Sequence, residues 1–510
     1  MKVFSISLFL TITFLVGCVT NPVTGKREVR LVGEAWELGV GKEQYAPLRQ
    51  MQGGDYVVDP GVERYVNQVG QRLATVADRK LPYEFNVIND STPNAWALPG
   101  GKISINRGLL TELNNEAELA AVLGHEIVHA AAGHGAQGVT RGAGLQIGMA
   151  AVLIGTQGKL DPNVAQLGAG IGAQLINSKY GRDAERESDH YGMQYMSKVG
   201  YDPKGAVTLQ QAFVRLSEGR QQDRFSQMFA SHPASAERVV NNMKLAAKLP
   251  KGGELGEARY KKAMARMMKS QEAYDKYDQA KAAHAKGDTG RATTLVREAI
   301  RMEPREGHFH SFLGDMARIS KKYDASKRHY DQAISLNKDF FYYYLGRGKL
   351  HEARGQMSAA RADLNRSMQL LPTTDAQTAL GDVSVALNDF TSAKKHYQAA
   401  AAAGGAGGEK AYGSLLDLDL KDNPGNYVKA VTGLRNGEVV VQITNQTPRA
   451  LTGLQLRIVD TTTNRGRTQS VQGGLAAKKS RIINTGIRLS AERAKRLRAT
   501  VVRAVQANQI

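Results

Sequence analysis

The chain has 510 residues, 42% of them hydrophobic, with 68 lysines and arginines against 48 acidic residues and one cysteine. This composition excludes wholesale disorder and a disulfide-stapled scaffold, and the length allows roughly two to four domains with cores of their own. The net charge of +20 suits anionic surfaces, either phospholipid and lipopolysaccharide or nucleic acid, although solvated lysines and arginines on helix faces account for it more simply. No nucleic-acid module is legible, and no nucleic-acid partner is expected.

Lys2 precedes a short apolar run, SISLFLTITFLVG, that ends at Cys18. The run is too short and too close to the terminus for a membrane span and reads as a secretory signal over residues 1–17. Leu15-Val16-Gly17-Cys18 resembles the bacterial lipobox, which implies cleavage before Cys18 and its lipidation. The bland alternative is an incidental cysteine in an ordinary signal peptide. Several acyl chains would keep the mature protein on a membrane, and Val19, in place of Asp, points to the inner leaflet of the outer membrane. With no second cysteine, the periplasmic domains must stand on packing and metal alone.

From Arg27 to about Leu81, apolar and charged residues are spaced as in amphipathic helices that buttress a site. Tyr83–Asn89 (YEFNVIN) and Lys102–Ile105 (KISI) alternate as strands. Between them lie Asn94, Ala95, Trp96, Ala97, Leu98, Pro99, Gly100 and Gly101. A Pro-Gly-Gly turn here would leave an edge strand able to pair with an extended peptide, or would be a plain hairpin.

Residues 115–134, NEAELAAVLGHEIVHAAAGH, carry His125, Glu126 and His129 as H-E-x-x-H. Leu119, Val122, Leu123 and Val128 have amphipathic-helix spacing, Asn115 and Glu118 resemble a capping box, and Gly133 is a stop. One helical turn separates the two histidines on one face, so both imidazoles can reach a single metal, and Glu126 can take a proton from an attacking water. That is the layout of a zinc peptidase. The following stretch to Tyr180 is rich in Gly and Ala and is too short to span a bilayer. It reads as a buried helix pair, a mobile cover over the site, or a surface dipping into lipid.

A third ligand comes from the next charged helix, 181–189, where Glu185 and Asp189 face the same way as a ligand and its hydrogen-bonding neighbour would. Spacing alone fits a solvated charged helix as well. GHEIVHAAAGH, the preceding NAWALPGG, the R-x-x-E-x-x-x-D at Arg182–Asp189 and the later Ser231-His232-Pro233 together resemble the M48 (Ste24/HtpX/Oma1-like) metallopeptidases over about residues 20–245. The resemblance implies one Zn2+ held by His125, His129 and Glu185, with Glu126 as general base, Asp189 orienting a ligand, and the Asn94–Gly100 edge docking substrate. It adds His232 as a regulatory fourth ligand that shuts the site; the alternative is a histidine capping a helix. His134, His190 and Tyr191 are neighbours in sequence, and none is assigned to oxyanion stabilisation.

From about Gln271, Leu313-Gly314, Leu345-Gly346 and Leu380-Gly381 recur every 32 to 35 residues, with Tyr330, Ala333, Tyr397 and Ala400 at matching places. A period of about 34 resembles tetratricopeptide helix pairs, about four units, offering a surface for peptides or folded partners. His284, His308, His310, His329, His351 and His396 lack metal spacing and read as packing or surface residues. Ala399–Gly408 reads as the end of a helix running into a flexible link, and Glu438–Thr444, Leu454–Val459, Ser480–Ile487 and Leu497–Val505 alternate as strands of a small sandwich.

The expected fold is multidomain and mainly α. It comprises a signal peptide (1–17), an α+β zincin-type metallopeptidase domain (18–250), an α-solenoid of repeats (271–400), a linker (401–425) and a β-sandwich-like domain (426–510). A peptidase domain joined to such repeats resembles the β-barrel assembly-enhancing branch of the family. This implies a lipid-anchored zinc endopeptidase acting on unfolded or misassembled outer-membrane proteins, with assembly machinery as a partner of the repeats. The alternative is a scaffold or chaperone-like lipoprotein whose metal domain is quiescent.

Overall fold

The computed structural model describes residues 17–143, 180–218 and 222–507. The signal peptide and most of the Gly/Ala-rich stretch after His134 lie outside the described residues. Among those described, no helix is long and apolar enough to cross a membrane. Two compact units emerge, one reaching to Leu350 and including Gln369–Leu371, the other taking His351–Met368 and Pro372–Ile510.

The first unit opens with an unforeseen hairpin, β1 (Gly17–Thr20) antiparallel to β2 (Arg27–Arg30), with Cys18 opposite Val29. Two helices follow, α1 (Glu34–Met51) and α2 (Pro60–Ala74). Asp59 caps α2 by accepting from the Gly61 amide, Pro60 sits where its missing N–H costs nothing, and Val62, Val66, Val69 and Leu73 form a buried stripe. Strands β3 (Glu84–Ile88), β4 (Ala95–Leu98) and β5 (Lys102–Asn106) form a sheet in the order β3-β5-β4, with β3 parallel and β4 antiparallel to β5. Gly100 and Gly101 turn the chain between β4 and β5 at φ of 81° and 82°, a region that favours glycine.

Beyond the short α3 (Arg107–Leu110) come α4 (Glu116–Ala131), which bears H-E-x-x-H, and α5 (His134–Ala143). The Asn115 side chain accepts from the Glu118 amide as predicted, but Glu118 reaches back to the Asn114 amide at 2.8 Å, so the reciprocal cap is shifted by one residue. Gly133, with φ of 69°, ends the helix. The expected amphipathic pattern does not hold: every residue of α4 is buried except His125, which is partly exposed. The sheet, α2 and the helices after residue 180 surround α4, so its polar residues face a site rather than bulk water.

Helices α6 (Arg182–Lys198), α7 (Lys204–Glu218), α8 (Gln222–Ser231) and α9 (Ala236–Ala246) complete the peptidase domain. Helix α10 (Glu257–Lys269) buries Tyr260, Met264 and Met267 in the same core, which continues into the first repeats.

The described residues from Gln271 to Ala402 form helices α11 (Gln271–Ala285), α12 (Thr289–Met302), α13 (Gly307–Ile319), α14 (Tyr323–Leu336), α15 (Phe341–Ala353), α16 (Met357–Leu370), α17 (Thr374–Ala386) and α18 (Phe390–Ala402). This matches the repeat period. The Leu-Gly pairs have a steric reason: Gly314 and Gly346 lie against the buried Tyr330 ring, where a Cβ at Gly346 would come within 2.5 Å of it. Gly381 meets the Tyr397 ring in the same way. As expected, His308 is a packing residue, bonded to the Tyr343 hydroxyl (2.6 Å) and the Gly53 carbonyl (2.8 Å).

In the second unit, the stretch 401–425 corrects the linker expectation. Helix α19 (Gly405–Asp419) occupies most of it and buries Ala411, Leu415 and Leu416. Its alanines and leucines outweigh the glycines once a packing surface is available. Then β6 (Val428–Arg435), β7 (Glu438–Asn445), β8 (Leu451–Asp460), β9 (Gly466–Ser470), β10 (Ser480–Arg488), the short α20 (Ala491–Ala494) and β11 (Leu497–Gln506) form two antiparallel sheets, β10-β7-β6 and β11-β8-β9. Val439, Val441, Ile443, Leu456, Ile458 and Val501 fill the core between them. The four predicted strands are present. Edge strands β6 and β9 were not anticipated because they bury little and carry almost no apolar alternation.

Candidate metal centre

Helix α4 places His125 and His129 one turn apart, and α6 runs alongside it. Their backbones approach closely at Gly124 and Gly192, where a Cβ on Gly192 would lie 3.0 Å from the His125 amide nitrogen. That approach carries Glu185 to the two imidazoles. Its carboxylate oxygens lie 3.3 Å from His129 Nε2 and 3.5 Å from His125 Nε2, and the two Nε2 atoms are 2.9 Å apart.

His232, just beyond α8, enters the same space. Its Nδ1 is 3.0 Å from Glu185 Oε1 and 3.4 Å from His125 Nε2, and its Nε2 is 3.7 Å from Glu126 Oε1. One ligand atom from each of His125, His129, Glu185 and His232 falls within 4.8 Å of all the others. Ligand atoms of a tetrahedral zinc stand about 3.3 Å apart, as follows from bonds of about 2.0 Å. The donor set of three imidazoles and one carboxylate, at these separations, fits zinc.

The outer groups fix these ligands. Asp189 Oδ1 accepts from His125 Nδ1 at 3.0 Å, turning Nε2 inward. Arg238 of α9, which the sequence reading missed, donates to both Asp189 oxygens at 2.7 Å and pairs with Glu185 Oε2 at 2.8 Å. The Tyr180 ring, also missed, stacks on His129 with centroids 3.9 Å apart. His134 is more than a sequence neighbour: its Nδ1 meets His129 Nδ1 at 2.9 Å, and its Nε2 lies 3.4 Å from Glu187. His190 is exposed and bonds Gln194, and it takes no part.

Charge in the site is arranged around a cation. Burial pushes the His125 imidazole down, but the Glu185 and Asp189 carboxylates outweigh it and carry its pKa up to about 10. Burial holds His129 well below the usual range, so it is neutral as a ligand must be, whereas His125 must give up its proton when a cation binds. Glu185 and Asp189 are held low despite burial, the first by His232 and His125 and the second by Arg238. Glu126 is raised by burial, and its Oε2 has no hydrogen-bond partner. A buried carboxylate with a raised pKa and a free oxygen can accept a proton and later release it.

Beside His125 and Glu126 lies a small, mostly apolar cavity of about 50 Å³, lined by Val122, Met193, Met196, Leu209, Phe213 and Met228 among others. The edge strand is more hidden than expected. β4 is the outer strand of its sheet, yet Ala95, Trp96, Ala97 and Leu98 are all buried. Helix α1 covers it: Tyr45 sits edge-on to Trp96 at 5.9 Å, Gln52 accepts from Trp96 Nε1, and Leu48 and Val40 pack alongside.

Arg238 is expected to act through the ligands it positions. Arg238→Ala should lower zinc affinity about 10–100-fold, as losses of such supporting groups do, read by competition with a fluorescent chelator. Unchanged affinity would remove Arg238 from the site.

Residues 60–244 match Peptidase family M48, and residues 277–326 and 320–373 match the tetratricopeptide repeat. Over 179 residues the chain is 34% identical to the mitochondrial metalloendopeptidase OMA1 of Schizosaccharomyces pombe, covering 34% of this chain and 50% of that one. Over 213 residues it is 29% identical to the putative beta-barrel assembly-enhancing protease of Vibrio cholerae, covering 40% and 43% respectively. The chain thus spans half or less of those two relatives. Metalloprotease LoiP of Escherichia coli is 33% identical over 185 residues, which cover 34% of this chain and 69% of LoiP. With all four of the motif's potential ligands gathered in one place inside the matched region, the chain belongs to peptidase family M48.

Proposed function

We propose that the chain is a zinc endopeptidase held by lipid at Cys18 on the periplasmic side of the outer membrane, where it degrades misfolded or stalled outer-membrane proteins. The observation that carries the catalytic part is the convergence of His125, His129 and Glu185, with the buried carboxylate of Glu126 beside them. Zinc bound there supplies Lewis-acid polarisation of the scissile carbonyl and a more acidic water. Glu126 takes the proton of the attacking water and returns it to the leaving amine. Asp189 and Arg238 keep His125 and Glu185 in place throughout.

Two observations support the substrate class. The cavity beside Glu126 is small but lined mostly by apolar side chains, a surface that favours the hydrophobic residues only an unfolded chain exposes, with the lining yielding to admit them. Relatives that share the peptidase domain are named for enhancing β-barrel assembly. The repeats recruit either these substrates or an assembly partner, as stacked helix pairs commonly do.

The test is cleavage of an unfolded outer-membrane β-barrel protein by the purified, zinc-loaded chain. Cleavage is expected to disappear on chelation and to return with added zinc, while a natively folded barrel survives. Cleavage insensitive to chelation would refute the metal mechanism, and indifference to folding would refute the substrate class.

One observation favours a second reading, a scaffold or chaperone-like lipoprotein. His232 already completes the ligand set, so a quiescent metal domain with active repeats fits the same geometry. Deleting residues 271–400 and replacing Glu126 by Gln, compared for loss of function in cells, separates the two readings.

A further inference from the structure

The excess positive charge of the chain is not spread evenly. Residues 426–510 hold fifteen lysines and arginines against three acidic residues, more than half of the net +20 in a sixth of the length. The peptidase reading makes no use of this charge, so its placement on the β domain needs its own account.

The sheet β11-β8-β9 shows where part of it goes. Leu454, Leu456 and Ile458 of β8 point into the sandwich, so Gln455, Arg457 and Val459 occupy the outer face. Register sets Arg498 of β11 beside Val459, Thr500 beside Arg457, and Arg503 beside Gln455, while β9 adds Gly466, Thr468 and Ser470 to the same three rows. Each of three successive rows therefore carries one guanidinium. Arg457, Arg498 and Arg503 are exposed, and none is ion-paired among the described residues. A register shift on either side of Arg503 leaves Val502 and Val505 of β11 exposed next to it, at 40% and 38%.

Guarding a sheet edge against aggregation explains Arg467 on β9 and applies equally to Arg498 and Arg503 on the edge strand β11, but it does not explain Arg457. β8 is the central strand, where no edge needs protection, and it carries Arg457. The partner must be anionic and broad enough to meet a three-stranded face. Single-stranded nucleic acid is recognised through aromatic stacking, and the one aromatic residue in 426–510 is Tyr427, which is buried. Among the described residues of this domain, no long helix is available to enter a major groove. Guanidinium groups with aliphatic side chains between them suit phosphate headgroups over a hydrocarbon layer.

We propose that the outer face of the β11-β8-β9 sheet, centred on Arg457, Arg498 and Arg503, is a docking surface for an anionic lipid bilayer. The proposal is independent of the peptidase reading and of the lipid anchor. It gives the C-terminal domain a role: holding the chain against a membrane surface.

The test is co-sedimentation of the full chain carrying Cys18→Ser, which removes any acyl contribution, with vesicles of phosphatidylcholine alone or with 30% phosphatidylglycerol. Binding to the anionic vesicles only, weakening with salt, is expected. The triple variant R457S/R498S/R503S should lose on the order of a hundredfold in affinity, about fivefold per arginine near an anionic surface. A control with the same charge loss, K42S/K244S/K261S on exposed lysines outside the β domain, should bind nearly as the parent does. Equal loss in both triples would show that net charge alone is at work and overturn the surface. So would binding to neutral vesicles, or a preference for DNA oligonucleotides over anionic vesicles at matched phosphate.

Discussion

Glu126→Gln is expected to lower proteolysis by roughly 10²–10⁴-fold, the range for removing a general base, while zinc content and the circular dichroism spectrum stay unchanged. The expectation rests on geometry. Glu126 is 3% exposed, its Oε2 is unpartnered, and burial has raised its affinity for a proton. Glutamine keeps the size and the packing of that side chain but cannot take the proton. Because Glu126 adjoins His125 on α4 without being one of the four converging ligands, its replacement leaves the metal set intact. Undiminished cleavage by a zinc-loaded variant would remove Glu126 from the mechanism.

His232→Ala should act in the opposite direction and raise basal cleavage about tenfold or more, the effect of releasing a closed state favoured by about 1.4 kcal/mol. Its Nδ1 shares Glu185 Oε1 with His129, and its Nε2 approaches Glu126, so the ring stands in the space an attacking water and a substrate carbonyl both require. A catalytic zinc site keeps one position open, and a fourth protein ligand closes it. His232 follows α8 directly, its amide bonded to the Met228 carbonyl at 2.7 Å, so the place of the ring is tied to that helix end. The measurement is the initial rate on an unfolded substrate at matched zinc occupancy. A fall in rate would instead make His232 part of the catalytic machinery, and no change would place it outside the reaction.

Together the two variants distinguish an enzyme at rest from a metal domain without activity. Loss in the first and gain in the second describe a latched peptidase. Silence in both, with zinc bound and unfolded β-barrel proteins offered, favours the scaffold reading.

Local chemistry was legible in the sequence because it depends on local geometry. H-E-x-x-H puts His125 and His129 on one face through the pitch of any α-helix, and the four-residue spacing of Glu185 and Asp189 does the same on α6. The repeat period could be read because glycines recur where tyrosine rings pack against the backbone, Gly314 and Gly346 on Tyr330 and Gly381 on Tyr397. Strands β7, β8, β10 and β11 announced themselves because each buries one face.

Tertiary structure decided what depends on distant partners. Arg238 is 49 residues from Asp189, Tyr180 is 51 from His129, and nothing in their local spacing marks them as members of the site. The burial of α4 on nearly every side, the cover that α1 lays over β4, and the helix at Gly405–Asp419 follow from packing surfaces that appear only when the chain is folded. The sequence by itself determined which residues can hold a metal and carry a proton; the fold decided which groups hold them in place, whether the substrate edge lies open, and that His232 joins them.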